Sequence, residues 1–323
     1  MEALFQAESP WTDAAVLSDL AEHPDKSVRL AVASNPTTPP EALARMAVDP
    51  RTTRETLDAV AANPNTPPPV LHGIAFATLP IDNEDALYDA AYEAIRNPSL
   101  PLEDFAALAS DESVEIRGRV AKNPSCPVEI LRALSADRDT ADGNPLARIG
   151  CAANLNIPSD ILGRLLHDDH NRVRRAAAGN PRVPVPVLEG FASLEYWKST
   201  PGGFVDTFVL EGVANNPQTP RNVLAWLYNH RTECHLGQAG DLSWSVFLGG
   251  VSSNPNTPLE ILAELATSSD DSIRSDVAAN ESTPPHVLAR LASDPRPFVR
   301  RAVYRNPTAS SADRETAQML GLA

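Results

Sequence analysis

A chain of 323 residues with a formal net charge of −15 is too long for one compact core to be the default, and too acidic for phosphate-backbone binding to be its main activity. Its 30 Pro against 15 Gly, without low complexity, read as regular punctuation of short elements. The three Cys (Cys126, Cys151 and Cys234) lack CxxC spacing and argue against a disulfide framework or zinc ribbon; no run approaches a membrane span and MEALFQAESPWTD is no signal peptide, so a cytoplasmic location is expected.

In chain order, residues 11–23 (WTDAAVLSDLAEH) read as a lone longer helix, and residues 1–27 as an N-terminal half-repeat or cap. From residue 28 an Asn-centred unit recurs at Asn35, Asn63, Asn97, Asn123, Asn154, Asn180, Asn216, Asn254, Asn280 and Asn306. The spacings are 28, 34, 26, 31, 26, 36, 38, 26 and 26, so the period is 26 with insertions. Pro follows most of these Asn directly, and a second Pro stands four positions on in every unit but the last, from Pro39 to Pro284. Leu or Phe comes at offset 8 (Leu43 to Leu288) and another apolar residue at offset 11 (Met46 to Leu291). Residues 308–323 read as a C-terminal capping helix whose core Leu position holds Arg314. A polar outer face there keeps a stack soluble.

Each position has a physical reading. Thr38, Thr66, Thr219, Thr257 and Thr283 stand before the second Pro as N-caps, with Thr257–Glu260 and Thr38–Glu41 as capping boxes. The apolar offsets then form a helical stripe on what is expected to be the longer helix of each unit. Before each Asn lies a second stripe, such as Val28, Ala31 and Val32, or Val299, Ala302 and Val303. It is rich in Ala, which lets a shorter helix approach its neighbours closely. Asn-Pro ends that helix, because the residue before Pro is pushed out of the α region. The stacked Asn side chains are expected to form a ladder that satisfies turn amides. The architecture that follows is all-α: a single solenoid over 1–323, with repeats over 28–307.

The unit VRxAVAxNPxTPxxxLxxLAxD, clearest over Val28–Asp49, Ile116–Asp137, Val173–Ala192 and Ile273–Asp294, resembles the variant leucine-rich repeat of bacterial proteins. The resemblance implies a right-handed superhelix of alternating α- and 3₁₀-helices without strands. The founding type carries an N-terminal iron–sulfur cluster on clustered Cys; here the first Cys is Cys126, so no cofactor is expected. A weaker resemblance is to HEAT-like repeats, in which Asp and Arg pair between repeats, as Asp169/Arg174, Asp271/Arg274 and Asp294/Arg300 could here. Among the 27 basic residues only Lys26, Lys122 and Lys198 are Lys, a ratio in keeping with a GC-rich bacterial genome.

No catalytic constellation emerges: there is no Gly-rich phosphate loop and no nucleophile elbow, and the His are scattered. The expected function is therefore a non-enzymatic scaffold for a protein or peptide partner, a basic one included, held on the concave face or on an edge of insertion loops. Those insertions fall near residues 77–88, 138–145, 194–205 and 229–243, each between the end of a longer helix and the next shorter one. Residues 191–247 concentrate the aromatics, and Tyr196, Trp197, Trp226, Tyr228 and Trp244 are the candidate partner contacts. Phe191, Phe208 and Phe247 sit at core offsets. The loop residues His230, Glu233, Cys234 and His235 could ligate a metal, but adjacent Cys and His point apart, and no metal is expected. The alternative is a HEAT-like nucleic-acid binder using Arg172, Arg174, Arg175 and Arg182 together with Arg296, Arg300, Arg301 and Arg305; inter-repeat pairing with carboxylates accounts for most of these Arg.

Overall fold

The computed structural model describes residues 2–79, 84–138, 144–193, 206–231 and 242–321, with the side chains of 84–88 and 242–244 excepted. Every element among them is an α-helix, and no described helix is long and apolar enough to cross a membrane. The chain divides into two compact units, Met1–Pro158 and Ser159–Ala323.

Unit 1 contains α1 (Glu2–Glu8), α2 (Ala14–Leu20), α3 (Lys26–Ser34), α4 (Pro40–Ala47), α5 (Arg54–Ala62), α6 (Pro68–Ala75), α7 (Glu84–Arg96), α8 (Asp104–Leu108), α9 (Val114–Lys122), α10 (Val128–Leu134) and α11 (Leu146–Ala153). Unit 2 contains α12 (Ser159–Leu165), α13 (Asn171–Ala178), α14 (Val185–Gly190), α15 (Thr207–Asn215), α16 (Arg221–Asn229), α17 (Leu242–Ser253), α18 (Leu259–Leu265), α19 (Asp271–Ala279), α20 (Pro285–Leu291), α21 (Pro297–Arg305) and α22 (Ser311–Met319). From α3 to α21 the odd-numbered helices precede an Asn and the even-numbered ones follow the second Pro. Within each unit, successive odd helices pack on one another: α1 on α3, α3 on α5, and so on to α11, then α13 on α15 through to α21. The even helices pack against their neighbouring odd helices. The two apolar stripes meet between these layers, where Val32, Ala33, Leu43, Val60, Leu71, Val213, Leu224, Val277 and Leu288 are fully buried.

The Asn ladder exists. Within unit 1, the Asn35 amide nitrogen donates to the Ala7 and Ser9 carbonyls, Asn63 to Ala33 and Asn35, Asn97 to Ala61 and Asn63, Asn123 to Ile95 and Asn97, and Asn154 to Ala121 and Asn123. In unit 2 the same pattern runs from Asn216 through Asn254 and Asn280 to Asn306. Each of these rungs satisfies a last-turn helix carbonyl and, beyond the first rung, where Ser9 takes the place, an Asn carbonyl of the repeat before. The Asn side-chain oxygen accepts from the amide two residues on, fixing the turn, as in Asn123 to Ser125 at 2.8 Å. A second, exposed row runs alongside: Ser99 donates to Pro64, Ser125 to Pro98, Asn156 to Pro124, and Ser282 to Pro255.

Four expectations are corrected. First, both helix sets are α-helical and the lengths are reversed: the odd helices from α3 to α21 have 8–13 residues and the even ones from α4 to α20 have 5–9. The second Pro is itself the N-cap, so the following helix starts a residue late. Second, Thr caps nothing ahead of it. The buried hydroxyls of Thr38, Thr219, Thr257 and Thr283 donate backwards, at 2.6 Å, to Val32, Val213, Val251 and Val277 in the last turn of the preceding helix. Third, the N-terminal cap is not a lone helix, because α1 precedes α2 and offers Ala7 and Ser9 as acceptors for Asn35. Fourth, part of the acidic insertion near residue 84 is helix: α7 is extended at its start, with Asp89 paired to Arg54 and Glu93 to Arg96.

At the C-terminus, Ser310 and Asp313 form a true capping box for α22. Arg314, standing where other repeats place a core Leu, donates at 2.8 Å to the Asn306 carbonyl and at 3.1 Å to Pro307. It supplies the hydrogen bond that a further Asn would have made.

Candidate functional site

The Arg clusters resolve first. Six repeats carry Arg six positions before their Asn: Arg29, Arg117, Arg148, Arg174, Arg274 and Arg300. Arg29, Arg117, Arg174 and Arg274 each turn a guanidinium back onto two carbonyls of the loop entering their own helix; for Arg117 these are Asp111 at 2.7 Å and Glu112 at 2.9 Å. The rest of the fork reaches forward, in Arg29 to the Arg51 carbonyl at 2.8 Å and in the others to the Asp before the next odd helix, giving Arg117–Asp137 at 2.7 Å, Arg174–Asp206 and Arg274–Asp294 at 2.7 Å. The Asp–Arg pairing anticipated from sequence is thus real in kind but displaced by one repeat. Asp169 gives Arg174 only its carbonyl, Asp294 gives Arg300 only its carbonyl, and Asp271 pairs with Arg296. Burial pushes the Asp294 carboxyl upward, but the bonds from Arg274 and the Arg296 amide outweigh it and hold the group below the usual carboxylate range. Arg175 also pairs inward, with Glu211 at 3.2 Å. Four of the eight Arg proposed for nucleic-acid contact, Arg174, Arg175, Arg296 and Arg300, therefore bind the array itself.

The aromatic candidates are placed unevenly. Tyr196 and Trp197 lie outside the described residues, as do the Trp244 side chain and Glu233, Cys234 and His235. Trp226 is half-buried on α16, stacked on His230 with ring centroids 4.3 Å apart. Tyr228 is 4% exposed and covered by the Arg231 guanidinium at 4.0 Å; burial and a bond to Glu264 push its hydroxyl well up, so this ring belongs to the interior. Phe191 and Phe247 are core, and Phe208 is half-buried. The insertions attach where expected, between an even helix and the next odd one, but lie largely outside the described residues.

Cys126 and Cys151 are buried, and burial pushes the Cys126 thiol up to about 12. His72 on α6 is held at 2.9 Å by the buried Asp104 of α8. Among the described residues no three of His, Cys, Asp and Glu converge.

A different site comes from the outer face of the odd helices. Counting from each Asn, positions −8, −5, −4 and −1 have i, i+3, i+4, i+7 spacing and form a stripe beside the core stripe. Across α7, α9 and α11 this stripe encloses a groove of about 390 Å³. Arg96, Arg119 and Lys122 stand around it with one acid, Glu115, while Leu146, Ile149, Gly118 and Gly150 supply its apolar part. Tyr92 supports the Arg119 guanidinium from below, 4.0 Å from ring centroid to carbon. The glycines follow from packing: a Cβ on Gly150 would lie 2.2 Å from the Gly118 carbonyl oxygen, so α9 and α11 approach closely only without it. The two glycines thus bring Leu146 and Ile149 of α11 close to Arg119 and Lys122 of α9. Sequence reasoning missed this site because it is assembled from three repeats: one residue from α7, four from α9 and three from α11. Aligning the −8, −5, −4 and −1 positions down the chain would have shown it.

Residues 27–51 match the family model of the leucine rich repeat variant. A search of the curated proteins gave no match. Among solved structures, "a leucine-rich repeat variant with a novel repetitive protein structural motif" is 19% identical over 79% of this chain and 86% of that chain, with a TM-score of 0.33. An engineered protein is 16% identical over 94% and 96% of the two chains, with a TM-score of 0.16.

Proposed function

We propose that this leucine-rich repeat variant protein is an interaction scaffold that holds a partner protein against the outer face of its odd helices. One observation carries the reading. The positions that build the array are nearly uniform between repeats: Asn, the second Pro, Leu, and the small residues packed beneath them. The outer positions obey no such rule. Along unit 1 they change from acidic (Glu55 and Asp58 on α5) through mixed (Asp89, Glu93 and Arg96 on α7) to basic (Arg119 and Lys122 on α9) and apolar (Leu146 and Ile149 on α11). Packing does not require that succession, whereas recognition of an extended partner does. In unit 2 the half-buried Trp226 is the remaining aromatic contact, joined by Tyr196 and Trp197 of the neighbouring insertion.

The test is capture by the immobilised full chain from the native cell, then reconstitution with the purified candidate by size-exclusion chromatography. A protein that co-elutes as a defined complex supports the reading. It is refuted if everything retained is equally retained by an unrelated acidic repeat protein. Trp197→Ala is expected to weaken capture while leaving the helical signal intact.

A further inference from the structure

We infer that the groove bounded by Arg96, Arg119 and Lys122 binds an extended acidic segment of a partner polypeptide, one that alternates carboxylate and aliphatic side chains. The inference rests on the scaffold reading and names the chemistry of its partner.

The charge argument is local. The chain as a whole carries −15, yet this groove gathers three cations against one carboxylate. Arg96 and Lys122 occupy the same position, −1, in consecutive repeats, with Arg119 on the stripe one helical turn before Lys122. These cations are not consumed in the way that Arg117 and Arg274 are. Lys122 is exposed, Arg96 meets the half-buried Glu93 at 3.1 Å, and the half-buried Arg119 stands with its guanidinium carbon over the Tyr92 ring. An arginine held against an aromatic ring has fewer rotamers to lose on meeting a carboxylate.

The apolar part selects a polypeptide over a small anion. Leu146 and Ile149 are half-exposed on the stripe of α11, one turn apart, and an inorganic anion has no use for them. Gly118 and Gly150 let α9 and α11 pack closely, since a Cβ on either would press on the other helix, and this brings the cations of α9 beside the Leu146–Ile149 pair. An extended segment whose alternate side chains reach the cations on one side and the Leu146–Ile149 pair on the other matches both features.

The test uses the full chain and fluorescence polarisation. The probe is a fluorescein-labelled decapeptide alternating Glu and Leu; the comparisons are its Lys-Leu and Glu-Gly counterparts, with inorganic phosphate as competitor. The Glu-Leu peptide is expected to bind, more weakly at high salt, and the other two peptides at least about tenfold more weakly. Lys122→Glu, at an exposed position, and Arg119→Gln, at a half-buried one, should each weaken Glu-Leu binding about tenfold with unchanged circular dichroism. Ile149→Ser should weaken it about threefold without changing the salt dependence. The inference is overturned if the Lys-Leu peptide binds as well, if the charge variants bind like wild type, or if phosphate displaces the peptide at equal concentration. Capture of a partner that is indifferent to Lys122→Glu would leave the scaffold standing and remove the groove.

Discussion

The Asn ladder makes a quantitative claim about Asn123. Its side chain donates to the Ile95 carbonyl at 2.6 Å and the Asn97 carbonyl at 3.0 Å, and accepts from the Ser125 amide at 2.8 Å. Asn123→Ala removes all three bonds from a residue only 1% exposed. The Asn97 carbonyl retains the Leu100 amide at 3.1 Å, so it is not stranded. The Ile95 carbonyl, in the last turn of α7, and the Ser125 amide lose a partner that water reaches poorly. A stranded buried group costs about 1–3 kcal/mol and a lost ordinary bond about 1, which gives a total of about 3 kcal/mol. Ser125→Ala is the matched control, since it removes only the exposed 2.7 Å bond to Pro98 and should cost about 0.5 kcal/mol. Asn123→Asp keeps the shape but aims a carboxylate at two carbonyls. Its pKa in the folded chain is raised, so its deficit should be largest at neutral pH and shrink as pH falls and the acid regains a proton to donate. The assay is urea unfolding followed by circular dichroism, with hydrogen exchange at the Ser125 amide. Equal midpoints for Asn123→Ala and Ser125→Ala would refute the ladder as a source of stability.

Three further outcomes follow from the packing and the clamps. Gly150→Ala should destabilise by about 1–3 kcal/mol in thermal unfolding, because its Cβ meets the Gly118 carbonyl, whereas Gly163→Ala on α12, where a Cβ meets nothing, should be neutral or stabilising by up to about 1 kcal/mol. Asp294→Asn should cost about 1–3 kcal/mol at neutral pH by unpairing Arg274. Since Asp294 is held below its unfolded value, wild type should lose this advantage as pH falls through its lowered folded pKa, and the two urea midpoints should converge in strong acid. Thr257→Val should cost about 1 kcal/mol by freeing the Val251 carbonyl, while Glu260→Ala should change the melting temperature little, the reverse of what a Thr257–Glu260 capping box requires.

The repeat was legible because the array solves the same problem ten times with the same residues. Asn35 and Asn306 do one job, and so do Leu43 and Leu288. What misled was local pattern with two physical meanings. Thr before Pro fits an N-cap, but the same hydroxyl reaches the end of the previous helix, and the buried site wins. Asp and Arg close in sequence suggested a pair, yet a guanidinium forked between its own loop and the next repeat satisfies more groups. The N-terminal helix α1 was missed because its sequence lacks the Asn-Pro signature; its part is to accept the first rung. The groove was hidden for a further reason: two of its lining positions are glycines, whose contribution is to let α9 and α11 approach.

Within each unit the described rungs are donated by a later repeat to an earlier one, so the ladder has a direction. Its open end presents acceptors, and Arg314 consumes the last of them. A block cut from one Asn to the next, such as residues 255–280, would bring Asn306 to the acceptor that Asn280 leaves on Asn254, and so the chain can be shortened without redesign.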